Sequence, residues 1–153
     1  MTKEKYLSQA LTGDGSKLYG ARWNPPGTVA TYTADSLSLA ILELLVHLNN
    51  YRNIRSYVAV SIQFDESKVT KWPIKSLPKD WNSLPTSATA QQLGQKWLSS
   101  SQSVVLQVPS AVVPKQYNYV VNPLHPDFKS VTIGSPLKDP IDMRLIKNAK
   151  KTP

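Results

Sequence analysis

Five polar side chains along the chain have types that could carry chemistry: Arg22, Tyr32, Glu43, Ser110 and Asn122. They form no hydrolytic triad, because no base lies at a spacing that would activate Ser110 as a nucleophile. An isolated carboxylate can stabilise a developing positive charge, an arginine offers a rigid fork of donors to phosphate, and a tyrosine presents an aromatic face. The set therefore favours anion binding and charge stabilisation over nucleophilic hydrolysis.

Glu43 falls within a predicted helix. Residues 37–48 contain no Gly or Pro, and Thr33 or Asp35 can supply the oxygen that caps the first turn. Apolar side chains cover most of the circumference, which predicts a well-buried helix. At ~100° per residue, Ser36 and Glu43 share one narrow polar stripe, so Glu43 faces either solvent or a cleft.

A strand and a tight turn precede this helix and are expected to position Tyr32 and Arg22. Residues 28–33, TVATYT, alternate as a short strand does. Gly20 and the turn at residues 25–27, Pro-Pro-Gly, produce a bend beside Arg22. One short stretch thus carries three of the five side chains.

The rest of the chain alternates strands with one more helix and long loops. Trp72 and Trp81 are expected to pin a loop to the core, and His125 is expected to be structural because it precedes a proline in a rigid loop. Predicted strands cover residues 56–64, 103–108, 117–121 and 141–146, and Leu18 and Tyr19 can start a further strand. A helix that Gly94 weakens is predicted over residues 86–100, and residues 147–153 are predicted to be a frayed tail.

Composition narrows the class of protein. A length of 153 residues suits one domain, and the absence of cysteine fits a reducing cytoplasm. With no cysteine and two histidines, no metal site is expected. The chain shows neither a signal peptide nor an apolar run long enough for a membrane span. A net charge of +8, mostly from lysine, favours anionic partners but lacks the arginine clusters of a nucleic-acid-binding face.

Four blocks in this order resemble the RES domain family, named for its Arg, Glu and Ser: GARWNPPGT, YTADSLSLAILELLVHL, PSAVVP and NYVVNPLHPDF. The resemblance spans residues 3–146. It implies one α+β domain over residues 1–153, in which a twisted mixed or antiparallel sheet flanked by helices is similar to the ADP-ribosyltransferase core.

This resemblance implies a toxin that cleaves NAD at the nicotinamide-ribose bond, with NAD as a consumed substrate and no resident cofactor. Glu43 would stabilise an oxocarbenium-like state. Arg22 would bind the pyrophosphate or its ribose and Tyr32 would face the nicotinamide, while Ser110 and Asn122 would position the rest. No Gly-rich Rossmann loop occurs, so a redox use of NAD is disfavoured. The acceptor stays open between water, phosphate and a protein side chain, the last making the chain a protein ADP-ribosyltransferase.

The family further implies a cognate Xre-like antitoxin with a helical DNA-binding domain, and a homodimer is expected. No direct contact with nucleic acid or membrane is expected. In one respect the chain departs from the family, which usually has another arginine ahead of the GRWN block. Here only Lys3, Lys5 and Lys17 precede Arg22. Lysine keeps the charge but cannot form the bidentate fork.

Two other classes of function stay open. The basic pI of 9.7 and the small size would suit an RNA-binding or RNA-cleaving toxin, although the chain has neither an arginine-aromatic patch nor a histidine pair. The missing leading arginine would suit a non-catalytic binding module.

Overall fold

A computed structural model describes residues 1–48 and 50–150, with side chains through residue 146. The strands are β1 (Thr2–Lys3), β2 (Thr31–Ala34), β3 (Tyr57–Val58), β4 (Ile62–Gln63), β5 (Val69–Lys71), β6 (Val105–Pro109), β7 (Tyr117–Val121) and β8 (Thr132–Ile133). The α-helices are α1 (Asp14–Tyr19), α2 (Leu37–His47) and α3 (Ala88–Ser100). Short 3-10 segments cover Glu4–Gln9, Tyr51–Ser56, Glu66–Lys68, Ile74–Ser76, Pro126–Ser130 and Met143–Lys150.

The central sheet has four strands in the order β2-β7-β6-β5. β5 runs parallel to β6, whereas β6 with β7 and β7 with β2 are antiparallel. Two small antiparallel ribbons, β1 with β3 and β4 with β8, lie outside this sheet. The architecture is therefore a mixed α+β fold, as predicted.

The inner strands of the sheet are apolar on both faces because both faces are covered. On one face Leu106, Val108 and Val120 pack in a cluster with Trp97 of α3 and with Trp23. A second cluster covers the opposite face; it contains Val104, Val105 and Val121 with Phe64 and Phe128 beside them. Alternation along β6 and β7 assigns each side chain to one of these clusters.

The indoles anchor the long loop between β5 and α3, as predicted. Trp81 is buried and stacks on Trp23, with ring centroids 6.1 Å apart, and Trp72 meets Trp23 edge-on at 5.6 Å. Such aromatic pairs stabilise a loop beyond the area they bury. The loop is thereby held against the turn that carries Arg22.

Helix α2 is less buried than predicted. Its N-cap is Ser36, whose Oγ accepts from Leu39 N at 3.2 Å. Leu39 is the one buried residue of this helix, while Leu42 and Val46 are 43% and 61% exposed. One side of the helix packs against a third apolar cluster, which includes Ile54, Ile141 and Ile146. Apolar side chains on the outer side of the helix stay in contact with solvent.

Three predicted strands differ in the structure. The segment over 56–64 is split, because β3 pairs with β1 whereas β4 pairs with β8, and Ala59 between them bridges to Leu137. Residues 141–146 do not form a strand; Met143–Lys150 is a 3-10 segment in which Ile146 is buried and Leu145 is 60% exposed. Leu18 and Tyr19 end α1.

The predicted frayed tail, 147–153, falls partly on the terminal 3-10 segment and partly, at 151–153, outside the described residues. Within the described part of the chain, no helix combines the length and hydropathy needed to cross a bilayer.

Candidate functional site

Helix α2 carries Glu43 to the end of the central sheet where β6 finishes and β7 begins. The Glu43 carboxylate is half-buried, and its Oε1 accepts two hydrogen bonds. Ser110 Oγ donates at 2.8 Å and Asn118 Nδ2 donates at 2.5 Å. No hydrogen bond from the described residues reaches Oε2. One carboxylate oxygen is therefore held by the protein while the other is available.

Ser110 directly follows β6, and its hydroxyl is fully engaged. Its Oγ accepts from the backbone N–H groups of Val112 and Val113, both at 3.0 Å, so its single proton is directed to Glu43. Ser110 N donates to Gln116 O at 2.9 Å and continues the β6–β7 ladder. A buried hydroxyl in this arrangement positions the carboxylate and has no base beside it to make it a nucleophile.

Asn118 joins the cluster through strand register. In the sheet it lies opposite Val108 of β6 and Ala34 of β2, on the face toward which Ser110 also points. From the sequence, Asn118 is predicted only to lie in a strand. The sequence does contain a signal for its position: in the predicted strand YNYVV, alternation puts Asn118 on the same face of the sheet as Val120.

Tyr32 is held by the turn that precedes β2. Its hydroxyl donates to Asn24 Oδ1 at 2.7 Å and accepts from Trp23 N at 3.1 Å. Asn24 is fully buried, and its Nδ2 donates to the backbone carbonyls of Ser16, Pro25 and Thr28. The Trp-Asn-Pro-Pro-Gly block thus folds around one asparagine that also fixes the phenol.

Burial raises the pKa of the Tyr32 phenol far above its usual value, although the hydrogen bond from Trp23 N–H and the charge of Arg22 act in the opposite direction. Tyr32 is therefore neutral at physiological pH and acts as a hydrogen-bonding and packing group, since it cannot serve as a base in that state.

Arg22 lies within electrostatic reach of both Tyr32 and Glu43. Burial lowers the pKa of its guanidinium, and the charges of Glu43 and Tyr32 raise it. The group stays cationic because arginine does not lose its proton in proteins. Its Nη1 donates to Trp81 O at 2.8 Å and to Ser83 O at 3.2 Å. Among the described residues no partner reaches Nε or Nη2, so that side of the fork can take an anion.

Asn122 lies apart from this cluster. It follows β7 at the opposite end from Asn118, about 13 Å away along the strand. It is 2% exposed; its Nδ2 donates to Leu98 O at 3.0 Å and its Oδ1 accepts from Leu124 N at 3.0 Å. The structure thus brings four of the five predicted side chains close to one another and uses the fifth to bind the backbone.

His125 has the structural role predicted for it. Its Nδ1 accepts from Asp127 N at 3.0 Å and caps the following 3-10 segment, so its Nε2 carries the proton and donates to Ser101 O at 2.9 Å. Of the lysines ahead of Arg22, Lys3 and Lys5 lie over tyrosine rings. In the described ranges no group of three His, Cys, Asp or Glu could hold a metal ion.

A cavity lies beside this cluster. It has a volume of about 480 Å³ and follows the free edge of β2, between that strand and the segment around β4. Tyr32 lines it, whereas Arg22, Glu43 and Ser110 do not. The groups that could carry chemistry instead form a half-buried polar cluster, which is joined by the hydrogen bonds to Glu43 and by the charge of Arg22.

A carboxylate held at one oxygen beside a guanidinium can stabilise positive charge that develops on a sugar bound to a phosphate. The Ser110 hydroxyl holds the carboxylate, and the neutral Tyr32 phenol bonds Trp23 N and Asn24 in the turn next to Arg22. The arrangement suits cleavage of a glycosidic bond in a phosphorylated substrate.

Comparisons with known proteins agree with one another. A family model described as the RES domain matches residues 1–142. The protein named Toxin Res of Photorhabdus laumondii is 40% identical over 152 residues, covering 99% of this chain and 97% of that protein. The Prs ADP-ribosylating toxin of Sphingobium sp. is 33% identical over 147 residues, covering 94% and 91%.

Among solved structures, the fold is similar to a chain of the MbcT-MbcA toxin-antitoxin complex of M. tuberculosis. The TM-score is 0.68 and the identity 18%, with 94% of this chain and 83% of that chain covered. At this identity the likeness concerns the fold.

Proposed function

Because the chain belongs to the RES domain family, we propose that it is a bacterial toxin that consumes NAD by breaking the bond between nicotinamide and ribose. NAD is the substrate in this proposal and no other cofactor is needed. Nicotinamide leaves with the bonding electron pair, positive charge develops on the ribose, and an oxygen of the acceptor bonds to that carbon and loses its proton.

The observation that carries the proposal is the state of Glu43. Ser110 and Asn118 both donate to its Oε1, which leaves Oε2 to face the ribose. A carboxylate fixed in this way stabilises an oxocarbenium-like state without reorganising during the reaction. The neighbouring Arg22 keeps the site attractive to an anionic substrate and offers the open side of its fork to the pyrophosphate.

The other predicted residues act around this pair. Tyr32 supplies an aromatic face near the nicotinamide and is held there by Asn24. Ser110 orients Glu43 from its buried position. Asn122 supports the site indirectly, because both ends of its amide already bind the backbone.

Water or phosphate is the acceptor in the first form of this proposal, which makes the enzyme an NAD glycohydrolase or phosphorylase. The second form is transfer of ADP-ribose to a protein side chain. It is favoured by the name of the Sphingobium relative, an ADP-ribosylating toxin at 33% identity. Both forms use the same carboxylate and differ only in which nucleophile enters.

An antitoxin partner is part of the proposal, since the similar fold was solved in a toxin-antitoxin complex. We propose an Xre-like antitoxin with a DNA-binding domain, a homodimeric toxin and action in the cytoplasm, where NAD is available. The net charge of +8 would attract an acidic partner as well as NAD.

The test is product analysis after incubation of the purified chain with NAD, with and without phosphate and with a bacterial extract. Nicotinamide release with free ADP-ribose indicates water as acceptor, an ADP-ribose phosphate indicates phosphate, and label from NAD on an extract protein indicates transfer. Intact NAD under all three conditions, from a folded protein free of antitoxin, contradicts the proposal.

Glu43→Gln keeps an oxygen that can accept from Ser110 and Asn118 but removes the charge. We expect nicotinamide release to fall about 10²–10³-fold, as when an electrostatic stabiliser is removed, with Tm unchanged. The matched control is Glu66→Gln. Glu66 is an exposed glutamate that forms an ion pair with Lys71 and is distant from Glu43 in the sequence. Unchanged turnover in Glu43→Gln contradicts the assigned role.

A further inference from the structure

His47 lies one helical turn after Glu43, on the same side of α2. It is the last residue of this helix, and its side chain is exposed. Residues four apart on a helix have their Cβ atoms about 5–6 Å from each other. Helical side chains also lean toward the N-terminus of their helix, which turns the imidazole of His47 toward Glu43.

A hydrogen bond fixes the orientation and the tautomer of this ring. His47 Nδ1 lies 2.7 Å from the backbone oxygen of Glu43, and a carbonyl oxygen can only accept. In the neutral ring Nδ1 therefore carries the proton, and Nε2 presents a lone pair. Within the described part of the chain no group bonds Nε2. This nitrogen can take a proton from a molecule bound beside Glu43.

The neighbours of Glu43 along α2 show on which side its carboxylate is open to solvent. Leu39, four residues before Glu43, is fully buried. Val46 and His47, three and four residues after Glu43, are both exposed. A substrate, or the acceptor that attacks it, thus reaches Glu43 from the side on which His47 lies.

The proposed reaction needs a group that accepts a proton. When water or a protein hydroxyl attacks the ribose carbon, its oxygen bonds to carbon and its O–H bond breaks. Glu43 is required as a charge beside the ribose, and Ser110 already donates its proton to Glu43. Tyr32 keeps its own proton, because burial raises the pKa of its phenol. Imidazole is the side chain most often used as a general base.

Resting on the proposed function, we propose that His47 is the general base for acceptors that lose a proton. As nicotinamide leaves with the bonding electron pair, the acceptor oxygen bonds to the ribose carbon and its proton moves to His47 Nε2. The imidazolium then releases this proton to solvent, to which the ring is exposed. The dianion of phosphate attacks with an oxygen that carries no proton, so this acceptor does not need His47.

The test compares nicotinamide release in the absence and in the presence of phosphate. His47→Gln keeps an N–H group that can reach the Glu43 carbonyl but has no basic nitrogen, so Tm should stay near that of wild type. At about pH 8, where phosphate is mainly a dianion, release without phosphate should fall about 10²-fold, a usual contribution of a general base. Release with phosphate should fall much less. An equal loss under both conditions indicates a structural role and overturns the proposal.

Imidazole in solution provides a second readout, which also serves if His47→Gln does not fold. His47→Ala removes the ring and leaves space for a free imidazole, so added imidazole should raise hydrolysis in proportion to its concentration. Glu43→Gln is the matched control, because it lacks the charge and retains the base, and imidazole should not raise its activity. A folded His47→Ala whose hydrolysis is the same with and without imidazole overturns the proposal.

Failure of this inference is distinguishable from failure of the proposed function. If wild type releases nicotinamide and His47→Gln keeps its rate without phosphate, the role of His47 is wrong and the function stands. The same holds if wild type releases nicotinamide only with phosphate, because His47 then has no proton to accept. If folded wild type releases no nicotinamide with any acceptor, the function is wrong and the role of His47 is wrong with it.

Discussion

Replacing Gly94 with alanine tests how the fold holds the turn that carries Arg22. Gly94 lies in the middle of α3, where glycine ordinarily weakens a helix. In the structure a Cβ at this position would lie 2.0 Å from Trp23 O, 2.7 Å from Trp23 C and 2.8 Å from Trp23 Cβ. Ordinary contact begins near 3.4 Å, so α3 and the Trp23 backbone would have to separate by more than an ångström.

The size of the effect follows from two opposing contributions. Overpacking of a well-packed interior costs about 1–3 kcal/mol, and a backbone carbonyl cannot rotate away as a side chain does, so we take about 3 kcal/mol. The higher helix propensity of alanine stabilises the folded state by about 1 kcal/mol relative to glycine. The net loss of about 2 kcal/mol corresponds to a fall in Tm of about 4–8 °C for a chain of this size.

The assay is thermal unfolding of Gly94→Ala beside Gly15→Ala, a helical glycine whose added Cβ would meet nothing within 4 Å. The control should unfold at the wild-type temperature or slightly above it. Because Trp23 adjoins Arg22, NAD consumption by folded Gly94→Ala should also fall, whereas the control should keep it. Equal Tm values for the two variants would refute the close approach of α3 to Trp23.

Three further substitutions are expected to have defined effects. Tyr32→Phe removes the hydroxyl that bonds Trp23 N and Asn24, which should cost about 1–3 kcal/mol. Wild type should also lose stability above pH 10, because the unfolded phenol ionises there while the folded one, with its raised pKa, does not; this loss, measured by urea unfolding against pH, should be smaller in Tyr32→Phe. Ser87→Ala removes the N-cap of α3 and should lower stability by about 1–2 kcal/mol in urea unfolding. Asn122→Ala should lower Tm through its lost backbone bonds yet leave the KM for NAD near wild type; a large rise in KM would restore the predicted substrate contact.

Local patterns in the sequence predicted the part of the site that is local in the chain. Arg22, Tyr32 and Glu43 follow one another through a turn, a strand and a helix, and the structure places their charged and polar groups within electrostatic reach. Ser110 was predictable for a similar reason, because β6 is a short apolar run that ends just before it. Such signals depend on neighbours in sequence, which a single chain displays directly.

Local sequence patterns did not predict which distant segments pair with each other. The segment over 56–64 alternates like one strand, yet its halves pair with different partners. Residues 141–146 alternate as well, but a short alternating pattern is compatible with both a strand and a 3-10 segment. The packing of Ile141 and Ile146 in one cluster with residues of α2 selects the 3-10 segment.

The sequence by itself determined the family, the α+β class and the order of the turn, strand and helix around Glu43, because each of these depends on residues that are adjacent in the chain. Only the tertiary structure decided that Asn118 rather than Asn122 meets the carboxylate, because strand register selects which amide lies beside Ser110. The same holds for Gly94, which costs helix propensity locally and is required by the approach of Trp23. Both outcomes depend on distances between segments far apart in the chain, and no local pattern encodes them.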